Sequence, residues 1–443
     1  MSFTDFDTIV APATPVGRSA LAVVRIDGPR AAAILMKLTG VEPEERQATR
    51  IAVRHDGKIV DECVVTRWVA PRSFTGNDLV ELSLHGNPAL VQRVIEICVA
   101  DGARIAEAGE FTERAVLNGK LDLIQAEAIA DLVAARTSVQ AQLSLSNLRG
   151  LLSQTAERLR GSLLHVLSQL EAALDFSDEG YEFISRDEAI RTLADALTDV
   201  RSLLETYQRG SATTRGLSAV ILGKPNAGKS SLLNRLVGSE RAIVTAVPGT
   251  TRDIVRETIE VGGLPVSFAD TAGLRPTDDL VEGIGVSRAR EAAASADLVL
   301  YLIDAAIGLD AEDRREMDAL GADKAIVVFT KCDLVAAQPG TRAISTITGV
   351  GFQELLAELD SLVRARYVGP EESAVVVNLR QRKALLEAES AITDAVATLR
   401  GDLSEEAVAV DLYRATSALA SLTGAVATED VLREIFSKFC IGK

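Results

Sequence analysis

The sequence predicts an α/β phosphate-loop domain inserted into an all-helical domain, with a separate α/β domain ahead of both. Three observations predict it. Gly223 to Ser231 reads GKPNAGKSS between an apolar strand-like run, Leu217 to Leu222, and a helix-like run, Ser231 to Val237. Helical patterns lie on both sides of the segment built around that loop, and the residues before them mix short strand-like and helix-like runs.

Taken in order, residues 1–118 hold strand-like runs at 20–26, 62–69 and 79–84, helix-like runs at 30–38 and 89–99, and a turn signal at Asp56-Gly57. Residues 119–210 read as helical. There Leu163, Leu167, Leu170 and Leu174 recur at alternating steps of four and three, a spacing that ordinary core packing explains. Gln208 to Gly216, QRGSATTRG, has the composition of a linker, so the phosphate-loop domain is expected at 211–370, with Gly369-Pro370 marking its exit. Residues 371–443 are helical again, with Thr428 expected to cap a helix over Glu429 to Lys438. A helical domain built from both flanks lets the last helix, and Cys440 with it, return toward the N-terminal domain.

A chain of 443 residues with 47% hydrophobic and 25% charged content can fill about three globular cores. No apolar run approaches the roughly 20 residues of a membrane span, and Met1 to Asp7 lacks a basic start with an apolar stretch. A soluble, cytoplasmic protein without a membrane partner is therefore expected. The four cysteines, Cys63, Cys98, Cys332 and Cys440, include no CxxC and suggest neither a disulfide framework nor a zinc cluster. The terminal CIGK has the wrong last two residues for a prenylation box. The net charge of −16 argues against a protein that coats nucleic acid. Local binding would fall to residues such as Arg158 and Arg160, or Arg380, Arg382 and Lys383, for which a solvated helix face is the plainer reading.

The loop itself specifies phosphate binding. Backbone N–H groups curl around phosphate oxygens where a Cβ at Gly223 or Gly228 would obstruct the turn; Lys229 reaches the terminal phosphates, and the Ser230 hydroxyl can hold Mg²⁺. Downstream, Asp270 to Gly273 reads DTAG after the strand-like run Leu264 to Ala269, and Thr330 to Asp333 reads TKCD after Ala325 to Phe329. Asp270 suits the Mg²⁺ shell and Gly273 the γ-phosphate, with Thr271 and Ala272 between them. Asp333 suits guanine, whose N1–H and amino group donate together, and this opposes an ATPase. Thr330 stands where the guanine pattern carries Asn, beside Lys331, and Ser345-Thr346-Ile347 can back the guanine O6 through N–H groups. Thr250 or Thr251, in TAVPGTTRD, can close on Mg²⁺. Leu274, where many small GTPases place the water-orienting Gln, cannot polarise water, which leaves Asp278, Asp279 and Glu282 as candidates.

GKPNAGKSS, GTTRD (Gly249 to Asp253), DTAGLR (Asp270 to Arg275) and the terminal FCIGK (Phe439 to Lys443) together resemble the MnmE (TrmE) family. The N-terminal half carries the same resemblance in DTIVAPATPVGR (Asp7 to Arg18), SFTGNDLVEL (Ser73 to Leu82) and LNGKLDLIQAEAIADL (Leu117 to Leu132). The fold it implies is an α/β P-loop GTPase domain inserted into an all-helical domain, plus an N-terminal α/β domain of folate-binding and dimerising type.

The resemblance also implies roles by position. Potassium falls to Asn226, Thr245, Val247 and Thr250, Mg²⁺ to Ser230 and Thr251, and the water-orienting acid to Glu282. GTP contacts fall on Gly223, Asn226, Ala227, Gly228, Lys229, Ser230, Ser231, Thr245, Thr250, Thr251, Asp270, Thr271, Ala272, Gly273, Thr330, Lys331, Asp333 and Ser345. Formyl-tetrahydrofolate maps to Arg25, Glu81, Lys120 and Lys443, Cys440 belongs to the modification step, and Lys229 and Glu282 are the catalytic residues of GTP hydrolysis. The implied activity is potassium-dependent GTP hydrolysis by a homodimer. Acting with an MnmG-like FAD protein, such an enzyme adds a carboxymethylaminomethyl or aminomethyl group at C5 of the tRNA wobble uridine. A regulatory or ribosome-assembly GTPase switch is the alternative; its extra domains should be basic RNA-binding modules, and neither flank shows that pattern.

Overall fold

The structure is a computed structural model, and it describes residues 7–175, 184–239, 241–243, 256–269, 291–321, 324–335, 341–370, 373–401, 405–426 and 428–442. Its described residues form two compact units: one from Met1–Ala130, Leu148–Leu193 and Ala391–Lys443, the other from Asp131–Asn147 and Ala194–Ser390.

The first unit opens with a six-stranded sheet made of β1 (Ile9–Pro12), β2 (Leu21–Asp27), β3 (Thr49–His55), β4 (Lys58–Trp68), β5 (Leu79–His85) and β6 (Arg104–Ile105), in the order β3-β4-β5-β2-β1-β6. Strands β3 and β4 meet at the Asp56-Gly57 turn, where φ is 49° and 72°, the mirror-type geometry that suits a tight hairpin. Helices α1 (Ala31–Thr39) and α2 (Pro88–Ala100) bury one face, with Val24, Ile26, Leu35, Leu82, Val94 and Cys98 in the core. In β2 the residues buried on that face are Ala22, Val24 and Ile26, and in β5 they are Val80, Leu82 and Leu84, while Asp27 and Leu79 are buried on the other face. That alternation puts Arg25 and Glu81 on the opposite face, directly paired across the ladder.

Helices α3 (Glu110–Leu117), α4 (Leu123–Ala134), α5 (Ser138–Leu148), α6 (Leu151–Asp175) and α7 (Arg186–Arg215) follow. Leu163, Leu167 and Leu170 are buried in α6, the ordinary core that their spacing suggests. At the other end of the chain, α13 (Glu429–Phe436) packs Ile435 and Phe436, with Phe439 beyond it, on Leu123 and Ala126. Thr428 holds the N-cap position with extended backbone, but its side chain makes no cap hydrogen bond. The chain end then returns to the first sheet: Ile441 bridges Ala108, and a Cβ on Gly442 would stand 1.9 Å from the Pro12 carbonyl oxygen.

The second unit is a five-stranded sheet of β7 (Leu217–Gly223), β8 (Arg256–Val261), β9 (Leu264–Ala269), β10 (Leu298–Asp304) and β11 (Ala325–Thr330), ordered β11-β10-β7-β9-β8. All neighbours are parallel except β8 on β9. Among the described residues this unit also has α8 (Lys229–Val237), α9 (Ala311–Leu320) and α10 (Phe352–Tyr367); α11 (Leu379–Arg400) and α12 (Glu405–Thr423) come after them in the chain. A parallel sheet places the loops that follow β7 and β11 at one edge, the carboxyl ends of the strands, where ligands bind in such folds.

The expected linker at 208–216 is not a linker. Helix α7 runs unbroken to Arg215. Its glycine and threonines serve close packing: a Cβ on Gly210 would lie 2.3 Å from the Val376 carbonyl oxygen, and the buried Thr213 donates its hydroxyl to the Tyr367 carbonyl at 3.3 Å. The Gln140 amide donates to the carbonyls of Thr213 and Thr214 at 2.9 and 3.0 Å, which satisfies the helix end. Gly216, at φ 77°, then turns the chain into β7.

Candidate nucleotide site

The phosphate loop follows β7 directly. Gly223 has φ 137°, and a Cβ there would come within 2.4 Å of the Leu302 carbonyl oxygen on the adjacent strand. Gly228 differs from expectation, because the nearest atom to an added Cβ would be 3.8 Å away on Thr330; what its place demands is the left-handed backbone, φ 91°. Asn226 is also left-handed, at φ 63°, and its side chain is exposed at the loop tip. Ala227 is buried beneath the loop. Lys229 donates to the carbonyls of Gly223 and Lys224 at 2.7 and 2.9 Å, and burial lowers its pKa from the ordinary lysine value. Ser230 and Ser231 are exposed in the first turn of α8, where unpaired helix N–H groups favour an anion.

A contact invisible in the motif braces this loop. Lys224 pairs with Asp310, the N-cap of α9, and with Asp313 at 3.3 Å, while Tyr301 donates its hydroxyl to Asp313 at 3.0 Å. Only tertiary proximity, 86 residues from Lys224 to Asp310, reveals it.

On the base side, Thr330 ends β11 and is fully buried. Its hydroxyl donates to the Ala227 carbonyl at 2.8 Å and lies 3.2 Å from the Ile303 carbonyl. A single hydroxyl proton thus ties the Thr330–Asp333 turn to the phosphate loop. Lys331 is left-handed at φ 60°, and its ammonium pairs with Asp304 at 2.6 Å. Asp333 is exposed in the turn beyond. The neighbouring segment is stitched to it by bonds from Ile344 N–H to the Phe329 carbonyl, 2.7 Å, and from Cys332 N–H to the Ile344 carbonyl, 3.2 Å. Ser345 spends its own N–H on the Val350 carbonyl at 2.9 Å, while the N–H groups of Thr346 and Ile347 have no acceptor among the described residues. Thr245, Val247, Thr250, Thr251, Asp270, Thr271, Ala272, Gly273, Leu274, Asp278, Asp279, Glu282 and Lys443 lie outside the described residues.

Comparison with known proteins decides the family. A model described as the GTP-binding protein TrmE N-terminus matches residues 8–120, and one described as the MnmE helical domain matches residues 123–440. The tRNA modification GTPase MnmE of Carboxydothermus hydrogenoformans is 36% identical over 458 residues, covering 99% of each chain. Those of Koribacter versatilis and Aquifex aeolicus are 41% and 39% identical, each covering 99% of this chain and at least 99% of their own. The chain belongs to the MnmE family of tRNA modification GTPases.

The resemblance read from the sequence's two ends is thereby shown, and the MnmE-family N-terminal domain carries a second cluster. Arg25 Nε donates to Glu81 Oε1 at 2.8 Å, the guanidinium lies over the Phe74 ring at 5.7 Å, and Nη1 donates to the Gly442 carbonyl at 3.4 Å. Lys120 is exposed at the end of the turn after α3, its side chain close to Gly76 in the Phe74 loop. Phe74 and Gly442 escaped the sequence reading, although SFTGND was the signal for the first. Cys440 is exposed, and its carbonyl accepts from Gly109 N–H at 3.4 Å. Of the basic helix residues, Arg160 pairs with Glu157 at 3.3 Å and Arg382 lies over the Tyr207 ring at 5.1 Å. No described helix is long and apolar enough to cross a membrane.

Proposed function

We propose that this MnmE-family chain hydrolyses GTP in a potassium-dependent cycle. Acting with an MnmG-like FAD protein, it adds an aminomethyl or carboxymethylaminomethyl group at C5 of the tRNA wobble uridine. The observation that carries this reading is the end-to-end correspondence, 99% of both chains, with relatives named as tRNA modification GTPases.

In the phosphate site Lys229 holds the terminal phosphates, the α8 N-terminus receives their charge, and Asp333 reads the guanine edge, held in register by Thr330. The Ser230 hydroxyl, exposed in the first turn of α8, fits a Mg²⁺ ligand, with Thr251 as its partner. The amide oxygen of Asn226 is a hard, exposed donor that fits K⁺, with Thr245, Val247 and Thr250 completing the set. When bound, these cations would neutralise charge gathering on the phosphoryl oxygens. Glu282 orients the attacking water, a role Leu274 cannot fill. In the N-terminal domain the paired Arg25 and Glu81, with Lys120 and Lys443, offer both a carboxylate for the donor edge of a pterin and cations for a glutamate tail; this set fits formyl-tetrahydrofolate as the one-carbon donor. Cys440 belongs to the modification step. The working unit is a cytoplasmic homodimer with residues 1–118, 119–210, 211–370 and 371–443 as N-terminal, helical, G and returning helical segments.

Mass spectrometry of tRNA from cells lacking the protein tests the reading. Unmodified wobble uridines are expected, and full modification would move the assignment to a regulatory or ribosome-assembly switch. Hydrolysis should run far faster in K⁺ than in Na⁺, and equal rates would remove Asn226 from its role.

A further inference from the structure

Helix α8 carries the phosphate residues at its N-terminus and, in its last turn, Arg235. The guanidinium of Arg235 does not join a carboxylate among the described residues. Its Nη1 donates to the Thr346 carbonyl at 2.7 Å, and the group lies over the Phe352 ring, 5.2 Å from the centroid. A Cβ on Gly349 would stand 2.4 Å from its Nη2, so the turn passes close to the guanidinium, and the left-handed backbone at 349, φ 87°, suits glycine.

A trans peptide points its C=O and the next N–H in opposite directions. The Thr346 carbonyl is held by Arg235, so the Ile347 N–H points away from α8. The Ser345 carbonyl is likewise held by the Gly349 N–H at 2.9 Å, which sets the Thr346 N–H. These are the two N–H groups left after Ser345 N–H bonds to Val350. Among the described residues neither has an acceptor, and Ile347 is 82% exposed. Their segment is stitched to the Thr330–Asp333 turn by the bonds of Ile344.

We propose that Arg235 is a positioning residue for guanine recognition: from the far end of the phosphate helix it fixes the Thr346–Ile347 peptide so that its N–H faces the guanine O6. One helix thereby sets both ends of the nucleotide site. The proposal rests on the reading of this chain as guanine-specific, and it adds a side chain to a contact otherwise made by backbone alone.

The test compares GDP with 6-thio-GDP, which keeps the N1–H and amino donors that Asp333 reads but offers sulfur, a weaker acceptor, in place of O6. Titration calorimetry on the full chain would use wild type, Arg235→Met, which keeps the apolar stem over Phe352, and Arg235→Lys, which restores one donor. Loss of one oriented hydrogen bond predicts about tenfold weaker GDP binding by Arg235→Met, roughly 1.4 kcal/mol. Affinity for 6-thio-GDP should change far less, and Arg235→Lys should recover part of the difference. Equal losses for the two ligands, or no loss, would overturn the proposal and leave Arg235 as packing alone. A wild type that does not prefer GDP over 6-thio-GDP would instead sink the O6 contact itself, and the proposal with it. Thermal unfolding of each variant, with native-like melting expected, separates these results from misfolding; a variant that fails to fold at both Met and Lys would count against a positioning role.

Discussion

Replacing Thr330 by Val removes one hydroxyl and little else. Val keeps the β-branch and nearly the volume, so the fully buried side chain stays in place. What it loses is the 2.8 Å bond to the Ala227 carbonyl, which joins the base-reading turn to the phosphate loop. A buried carbonyl deprived of its donor costs about 1–2 kcal/mol. If that bond keeps the two halves of the site in register, the same energy appears in binding, because GDP must bridge both. The expected result is a GDP affinity lower by roughly five- to thirtyfold. Thr330→Ser keeps the hydroxyl and should stay near wild type in the same calorimetric titration. A Thr330→Val protein that binds GDP within about twofold of wild type would refute the claim that this tie aligns the site.

Glu282→Ala should retain GTP binding and lose turnover; single-turnover hydrolysis at wild-type rate would return Glu282 to a solvated loop. Glu113, pushed up to about 7 by burial and by the neighbouring Glu110 and Glu107 against the pull of Arg114 and Arg433, holds more protons folded than unfolded between its ordinary 4.5 and that value. Its contribution to stability is therefore fully present below 4.5 and lost as pH rises through about 7, and Glu113→Gln should flatten that part of the melting-temperature profile. Gly442→Ala puts a Cβ 1.9 Å from the Pro12 carbonyl oxygen, so the chain end must shift off the N-terminal sheet. Fluorescence titration with formyl-tetrahydrofolate should show weaker binding, and unchanged affinity would exclude the tail from that site.

Local patterns made much of this protein legible. The phosphate loop showed itself because glycines, Lys229 and Ser230 must stand at fixed spacing between a strand and a helix. Strands β2, β4 and β5 and the Asp56-Gly57 turn came through for the same reason, since the period of two is written in neighbouring side chains, whereas β1, β3 and β6 went unread. The QRGSATTRG stretch misled because small residues serve both flexible linkers and tight helix packing, and only the backbone of Val376 against Gly210 tells them apart. Gly228 misled in a smaller way, for conformation rather than space requires it.

By itself the sequence determined the order of the motifs and the family, both of which depend on residue identity and short spacing. Tertiary structure alone decided which atoms of distant groups meet. Arg25 meets Glu81 through ladder register, Thr330 reaches Ala227 across 103 residues, and Gly442 comes back to Pro12 from the other end of the chain. Hydrogen bonds and ion pairs act over a few ångströms of space, whatever the separation along the chain, and so these contacts leave no local pattern to read.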